Sequence, residues 1–462
     1  MIARAVFVVC ALSLGAAGCA SVDGLVGRYN HVSAISGAKP AAKTTIVFLI
    51  DGLSVDALRS AFATASAPHI ARFFGVDEAG GFAVARASFP TLTYPNLAAI
   101  VTATPTSLNG IIGNRLSRRG NNVLNLEDAS SWAELNDRLK GKTAFSRARA
   151  QGEASASFSY SVYAGSSAHQ EKSLSAGIDY LSHSYDEIDR DTIASLASFL
   201  RDLRVVRPRL LFVHLIGVDG FAHRFGPQSA PAKAYISELD RALAPIFELI
   251  RPMAQVEVAM TADHGFVTTS VNRIEIAEIV ADVDERLKTV ADNRVASVFG
   301  PRRWSSERKR AAAQRIVRAP GIERVAVQFD DGLELWRADG SVQHIDYGPP
   351  TCAGGARSAR LSWNPWPRQS GSFADFVCIE DFDTFGTIEG EAYLAASLLE
   401  FFASASAPDI LVLAADDVDF VGGYKGNHGG LTPAEALVPI LLRGRSPLGA
   451  GIPPTWQLLQ GI

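Results

Sequence analysis

The sequence predicts an α/β sandwich built on a mostly parallel central sheet, with an inserted α+β cap late in the chain. Three observations predict it. Short, continuous apolar runs recur between glycine or acidic residues, helical patterns alternate with them, and between Asn272 and Glu389 that rhythm breaks. The chain has 462 residues, 47% hydrophobic and 20% charged, which is enough apolar material for a large core. Its formal net charge of -4 gives no general basic surface, so no nucleic-acid-binding surface is evident. The basic stretch from Pro301 to Arg315 reads as a solvated helix face.

The elements follow in order. Residues 1–19 carry one positive charge, Arg4, then an apolar run, then small residues, which is the layout of a secretory signal. Ala16, Ala17 and Gly18 lead to Cys19 in a pattern similar to a bacterial lipobox, so Cys19 is a lipidation candidate, with simple cleavage nearby as the alternative. Ala20 after that cysteine resembles the signal for the outer membrane. The expected location is periplasmic, with the only membrane attachment through an N-terminal lipid. Residues 20–43 are expected to be a tether.

The catalytic core is expected over 44–271 and again over 390–462. TTIVFLIDG, LLFVHLIGVDG and VEVAMTADHG, and later DILVLAADD and ALVPILLRG, read as strands buried on both faces. SVDALRSAFATA, TIASLASFLRDLRVV, AKAYISELDRALAPIFELIRP and EAYLAASLLEFFASA read as the alternating helices. Residues 272–389 form the expected cap, with a helical stretch, ERKRAAAQRIVRA, and the strand-like runs IERVAVQF, GLELWRAD and SVQHIDYG. Export would place Cys352 and Cys378 in an oxidising compartment, where they are candidates for a disulfide or remain two buried thiols.

The chemistry gathers at strand ends. In open α/β sheets ligands bind at the carboxyl ends of the strands. Asp51, Asp219 and Asp263 stand at the ends of predicted strands, His223 follows Asp219 by four residues, His264 follows Asp263 directly, and His428 precedes the last strand. Carboxylates and imidazoles together suit Zn²⁺. Six such ligands exceed one tetrahedral ion, and two ions about 4 Å apart suit an in-line displacement at phosphorus. SFPTLTYPNLAAIVTATPTSLNGIIGN, Ser88 to Asn114, supplies a hydroxyl that such a centre could activate, at Thr93. Thr91, Thr102, Thr104 and Thr106 read as turn and capping residues, and His214 as a buried, hydrogen-bonded residue.

In these features the sequence resembles the alkaline phosphatase superfamily, and within it the nucleotide pyrophosphatase/phosphodiesterase (type I phosphodiesterase) family. The matching elements are LTYPN around Thr93, GIIGN ending at Asn114, DGFAHRFGP from Asp219 to Pro227, the DHG from Asp263, and His428-Gly429. The resemblance implies an alkaline-phosphatase-like three-layer sandwich and two zinc ions. One ion would be held by Asp219, His223 and His428. The other would be held by Asp51, Asp263, His264 and the Thr93 oxygen. It implies Thr93 as nucleophile through a phospho-threonine intermediate, with Asn114 on the nonbridging oxygens, and a phosphate-ester substrate such as a nucleotide, a lipid head group or a glycerophosphodiester. The sequence departs from the family pattern at Leu97, Ala98, Ala103 and Asn109, none of them a ligand position. Diester cleavage is the expected activity. Phosphomonoester cleavage aided by Lys425 or Arg115, transfer of a phosphoethanolamine-like group, and a non-catalytic metal-stabilised envelope lipoprotein are the alternatives.

Overall fold

The computed structural model describes residues 37–76, 81–170, 179–180, 182–201, 207–348, 358–361, 377–378, 391–445 and 452–462. Cys19 and Cys352 lie outside the described residues. The backbone of Cys378 lies in the short strand Val377–Cys378.

Two large sheets dominate the described residues, beside a three-stranded and a two-stranded one. The first has seven strands in the order Ala83–Arg86, Leu437–Arg443, Val256–Thr261, Thr44–Ile50, Leu210–Leu215, Ser155–Phe158 and Ala168–His169. Thr44–Ile50 pairs in parallel with Leu210–Leu215 on one side and Val256–Thr261 on the other. Leu437–Arg443 runs antiparallel to its two neighbours. All seven residues of Thr44–Ile50 are buried, because helices cover both faces. Ile46, Phe48 and Ile50 face one apolar cluster with the helix Ala230–Ile250, while Val47 and Leu49 face another with the helix Thr93–Thr102. The alternation follows from the two-residue period of a strand.

The helices begin where side chains can accept their free N–H groups. Ser54 accepts from Ala57 N at the start of Val55–Ala63, and Ser229 from Ala232 N at the start of Ala230–Ile250. The helix Tyr185–Arg201 starts earlier than its apolar pattern, because Asp186 and Glu187 in its first turn pair with Arg190. No helix among the described residues is long and apolar enough to cross a membrane.

The second sheet has eight strands and is antiparallel, with Ser306–Ile316 and Glu391–Phe402 against it. One strand differs from the sequence reading. Ile410–Ala414, expected in the core, lies in the second sheet between Val295–Phe299 and Ile322–Gln328. Leu411 and Leu413 pack with the helix Glu391–Phe402, and Ile410, Val412 and Ala414 with the helix Ser306–Ile316. A strand covered on both faces reads as a continuous apolar run in either sheet, so pattern alone does not assign it. The start of the core also differs. Within the expected tether, Lys39 bridges to Glu153 and Ala41 N donates to Arg207 O at 3.0 Å.

Phe247 ties the long helix to the sheet. Its ring stacks on Phe73 at 4.2 Å between centroids and meets Phe48 edge-on at 6.0 Å. At 1% exposure it is fully buried. Phe247→Ala should therefore destabilise the protein by about 3–5 kcal/mol, read as a lowered urea midpoint of the full chain.

Candidate active site and metal centre

Asp51 directly follows the central strand Thr44–Ile50, and its N–H donates to Leu215 O at 2.8 Å. Asp263 and His264 follow Val256–Thr261. Neighbouring parallel strands thus place these residues side by side. The turn after Asp51 needs glycine. Gly52 has φ +70°, and a Cβ there would come within 2.5 Å of the Phe266 ring and 3.1 Å of the Asp219 backbone. Its N–H donates to Asp263 Oδ1 at 3.1 Å.

Asp219 is not at a strand end as expected. The strand stops at Leu215, and Asp219 and His223 lie on the helix Gly217–Phe225, four residues apart and so on one face. Asp189 holds the start of that helix, accepting from Ile216 N at 2.7 Å and Gly217 N at 3.0 Å, with Tyr235 Oη donating to it at 2.7 Å. His428 arrives on the loop before the last core strand. That loop is pinned by Glu435, which accepts from Gly430 N at 2.8 Å and forms a buried ion pair with Arg294 at 3.0 Å.

The ligand atoms converge in two adjoining groups. Asp219 Oδ1, His223 Nε2 and His428 Nε2 lie 3.4, 3.2 and 3.6 Å from one another. His264 Nε2 lies 3.3 Å from Asp51 Oδ1, 3.3 Å from Asp263 Oδ2 and 3.2 Å from Thr93 Oγ1. His264 also falls within ligand range of Asp219 and His428, and its ring stacks on that of His428 at 3.6 Å between centroids.

These residues fit a divalent metal on three grounds. Ligands about 2.0–2.1 Å from a tetrahedral ion lie about 3.3 Å apart, close to the spacings here. The histidine tautomers also agree. His223 Nδ1 donates to Gly426 O, His428 Nδ1 to Thr91 O and His264 Nδ1 to Gly265 O, at 2.9, 2.8 and 3.1 Å. Each Nε2 is thereby turned into the cluster, where its lone pair is the one a metal would take. Finally, Asp51 Oδ1, Asp219 Oδ1 and Asp263 Oδ2 are buried without a hydrogen-bond partner, a costly arrangement without a cation.

The electrostatics carry the same signature of crowding. Burial pushes the Asp51 carboxyl up, but hydrogen bonds with His214 and His264 outweigh it and hold the group well below the usual carboxylate range. Burial, and then the nearby Asp51, pushes Asp263 up to about 7 and Asp219 well above its ordinary value. Burial disfavours a charged His264, yet Asp263 and Asp51 carry it up to about 9. Burial takes His223 down to about 4, and burial with the charge of His264 takes His428 well below the usual range. Neighbours pushed in opposite directions mark charges that a divalent ion would reconcile.

Thr93 is the first residue of the helix Thr93–Thr102, so its hydroxyl meets the positive end of the helix dipole. Asn114 accepts from Tyr94 N at 3.1 Å through Oδ1, and its NH₂ donates one hydrogen to Glu127 Oε1 at 3.5 Å. Arg115 is engaged, with Nη2 donating to Glu127 at 3.1 Å and Nη1 to Ala291 O at 2.7 Å. Lys425 is exposed, and its N–H donates to His223 O.

Two supporting residues exceed their sequence reading. His214 Nε2 donates to Asp51 Oδ2 at 2.9 Å and fixes the rotation of that carboxylate. Thr91 does more than shape a turn. Its hydroxyl donates to Gly430 O at 2.8 Å and accepts from Gly429 N at 3.0 Å, clamping the His428 loop. The signal for both is spatial: His214 stands opposite Leu49 in the sheet, a register the sequence does not display.

A mostly parallel sheet with a carboxylate–imidazole cluster and a hydroxyl gathered beside it marks a member of the alkaline phosphatase superfamily. The family model for type I phosphodiesterase / nucleotide pyrophosphatase matches residues 45–347, and the chain belongs to that family. Among solved structures, phosphonoacetate hydrolase from Sinorhizobium meliloti 1021, in complex with phosphonoacetate, is similar with a TM-score of 0.58 at 15% identity, over 92% of this chain and 96% of that one. Murine ectonucleotide pyrophosphatase / phosphodiesterase 5 is similar with a TM-score of 0.57 at 14% identity, over 90% of this chain and 93% of that one. An inactive threonine-to-alanine form of the murine protein, in complex with AMP, has a TM-score of 0.55 at 14% identity, over 86% of this chain and 87% of that one. No curated protein sequence matches the chain.

Because His214 orients a carboxylate of the cluster, His214→Ala should weaken zinc binding by about 10–100-fold, read by competition with a chromogenic chelator.

Proposed function

We propose that this chain is an exported two-metal phosphodiesterase in which Thr93 is the nucleophile. The family assignment makes it a phosphoric ester hydrolase. The observation that carries the finer reading is the position of Thr93 Oγ1, 3.2 Å from His264 Nε2 in the ligand cluster and at a helix N-terminus. The threonine-to-alanine form of the murine relative is described as inactive, which supports the same role here.

Asp219, His223 and His428 would hold one zinc, and Asp51, Asp263, His264 and Thr93 Oγ1 the other. Such a pair supplies Lewis-acid polarisation and neutralises charge on attacking and leaving oxygens. The chain's own residues do the rest. Thr93 Oγ1 gives its proton to solvent and attacks phosphorus; the P–O bond to the leaving group breaks and an O–P bond to Thr93 forms. The departing oxygen takes a proton from solvent. Water then attacks the phospho-threonine and releases Thr93. The Asn114 NH₂ donates to a nonbridging oxygen, as does the Thr93 N–H, one of the first-turn donors a helix cannot satisfy internally.

Diester preference is supported by charge. A monoester brings an extra negative charge, and Arg115, the cation nearest Asn114 in sequence, is already engaged by Glu127 and Ala291 O. An aromatic rim favours substrates with a planar group: the Tyr424 ring lies 4.5 Å from that of His223, and Tyr180 meets Tyr185 edge-on at 5.9 Å. The AMP bound to the murine relative fits that preference. The export and lipid attachment rest on residues 1–19 of the sequence.

Zinc-loaded wild type should hydrolyse bis-p-nitrophenyl phosphate faster than p-nitrophenyl phosphate. Thr93→Ala should lower that rate by about 10³-fold or more with zinc content largely kept; near-wild-type turnover would remove Thr93 from the mechanism. Cells expressing the full chain should incorporate labelled palmitate into it, and Cys19→Ala should abolish the label. Equal labelling of both would exclude the anchor.

A further inference from the structure

The second sheet reaches into the site through one hairpin. Lys288–Asp292 and Val295–Phe299 pair antiparallel, and Asn293-Arg294 is the turn between them. Each of three consecutive residues at this tip grips a different part of the site. Asp292 Oδ2 accepts from Arg115 N at 2.9 Å, beside Asn114. Its approach is so close that a Cβ on Gly113 would lie 2.6 Å from the same oxygen. Arg294 forms the buried ion pair with Glu435 that pins the His428 loop. Asn293, at 4% exposure, places its side-chain nitrogen 3.3 Å from His428 Nε2.

The tip is fixed as well as close. Asn293 O accepts from Phe420 N at 2.7 Å, and Arg294 O from Ala414 N at 3.0 Å. Asn293 has φ +52°, a left-handed conformation that asparagine tolerates better than most residues. A turn former needs no amide aimed at a ligand histidine, so the backbone alone does not account for the side chain's direction.

The acceptor that Asn293 faces is a shared one. His428 donates its Nδ1 hydrogen to Thr91 O, so Nε2 offers a single lone pair. Among the described residues, His428 Nε2 is the one hydrogen-bond acceptor of the Asn293 nitrogen. A cation on that lone pair leaves the amide N–H without its acceptor, inside a buried site. The N–H then needs another acceptor, and a phosphate-ester oxygen bound beside His428 provides one.

We propose that Asn293 is a substrate-binding residue whose amide, delivered by the second sheet, donates a hydrogen bond to an oxygen of the phosphate ester beside His428. This rests on the phosphoester reading above. It assigns a binding role to a segment in which the sequence displays no motif.

Two variants test it. Asn293→Gly keeps the left-handed turn and deletes the amide; Asn293→Asp keeps the shape and replaces the donor with an acceptor. Inorganic phosphate binding to the zinc-loaded protein, by calorimetry, is one readout, and hydrolysis of bis-p-nitrophenyl phosphate is the other. Zinc content and thermal midpoint are measured for each variant. Asn293→Gly should weaken phosphate binding and lower kcat/KM by about 10–100-fold at unchanged zinc content, and Asn293→Asp should lower both at least as far. Wild-type phosphate binding and turnover in Asn293→Gly would reduce Asn293 to a turn former. Loss of zinc from Asn293→Gly, or tighter zinc and retained turnover in Asn293→Asp, would make it a metal ligand and overturn the proposal. A wild type that binds phosphate but cleaves no diester would defeat the functional reading, while the binding comparison would still decide the role of Asn293. A wild type that does neither would defeat both.

Discussion

The structure depends on holding lone pairs closer together than they would choose. Three imidazoles and three carboxylates turn acceptor atoms toward one another at 3.2–3.6 Å. Without a metal these contacts are relieved only where a proton sits between them, as on His264, and a flexible support would let the others relax apart. The support is not flexible. Asp51, Asp263 and His264 follow adjacent strands of a sheet covered on both faces, Asp219 and His223 share one face of a helix anchored by Asp189, and His428 is held by Thr91 and the Arg294–Glu435 pair. Each candidate ligand has its own backing, so the cluster is prepared before anything binds.

The same preparation extends to the proposed nucleophile. Thr93 opens a helix whose other side packs under the central strand, so packing that stabilises the core also sets the direction of its hydroxyl. Tyr94 N–H fixes Asn114 from that helix, while Asp292 fixes the following residue from the second sheet. Core stability and site geometry are therefore one problem in this protein.

Much of this was legible in the sequence, for a physical reason. Strands buried on both faces must be apolar throughout, so Thr44–Ile50, Leu210–Leu215 and Val256–Thr261 stand out against any background. Residues just past such strands have few structural reasons to be Asp or His, so Asp51, Asp263 and His264 drew attention, and they lie together in the structure. What depends on register or on the choice between two sheets was not legible. His214 looks like any buried histidine until its strand is laid beside Asp51. Ile410–Ala414 is apolar on both faces in a sheet the pattern did not assign it to. Asn293 carries no signal in the sequence, since its direction comes from a hairpin whose strands carry no motif.

The destination of the C-terminal segment has a consequence for biogenesis. Ile410–Ala414 fills the interior of one sheet and Leu437–Arg443 joins two strands of the other, only a few dozen residues apart. A chain still missing this end has a gap in each sheet and four unpaired strand borders, the features that invite pairing with other molecules. The second sheet can close once Ala414 is made, but the first waits for Leu437–Arg443. The first sheet keeps two unpaired strand borders until Leu437–Arg443 is made, so the polypeptide stands to gain from a chaperone that shields them until then.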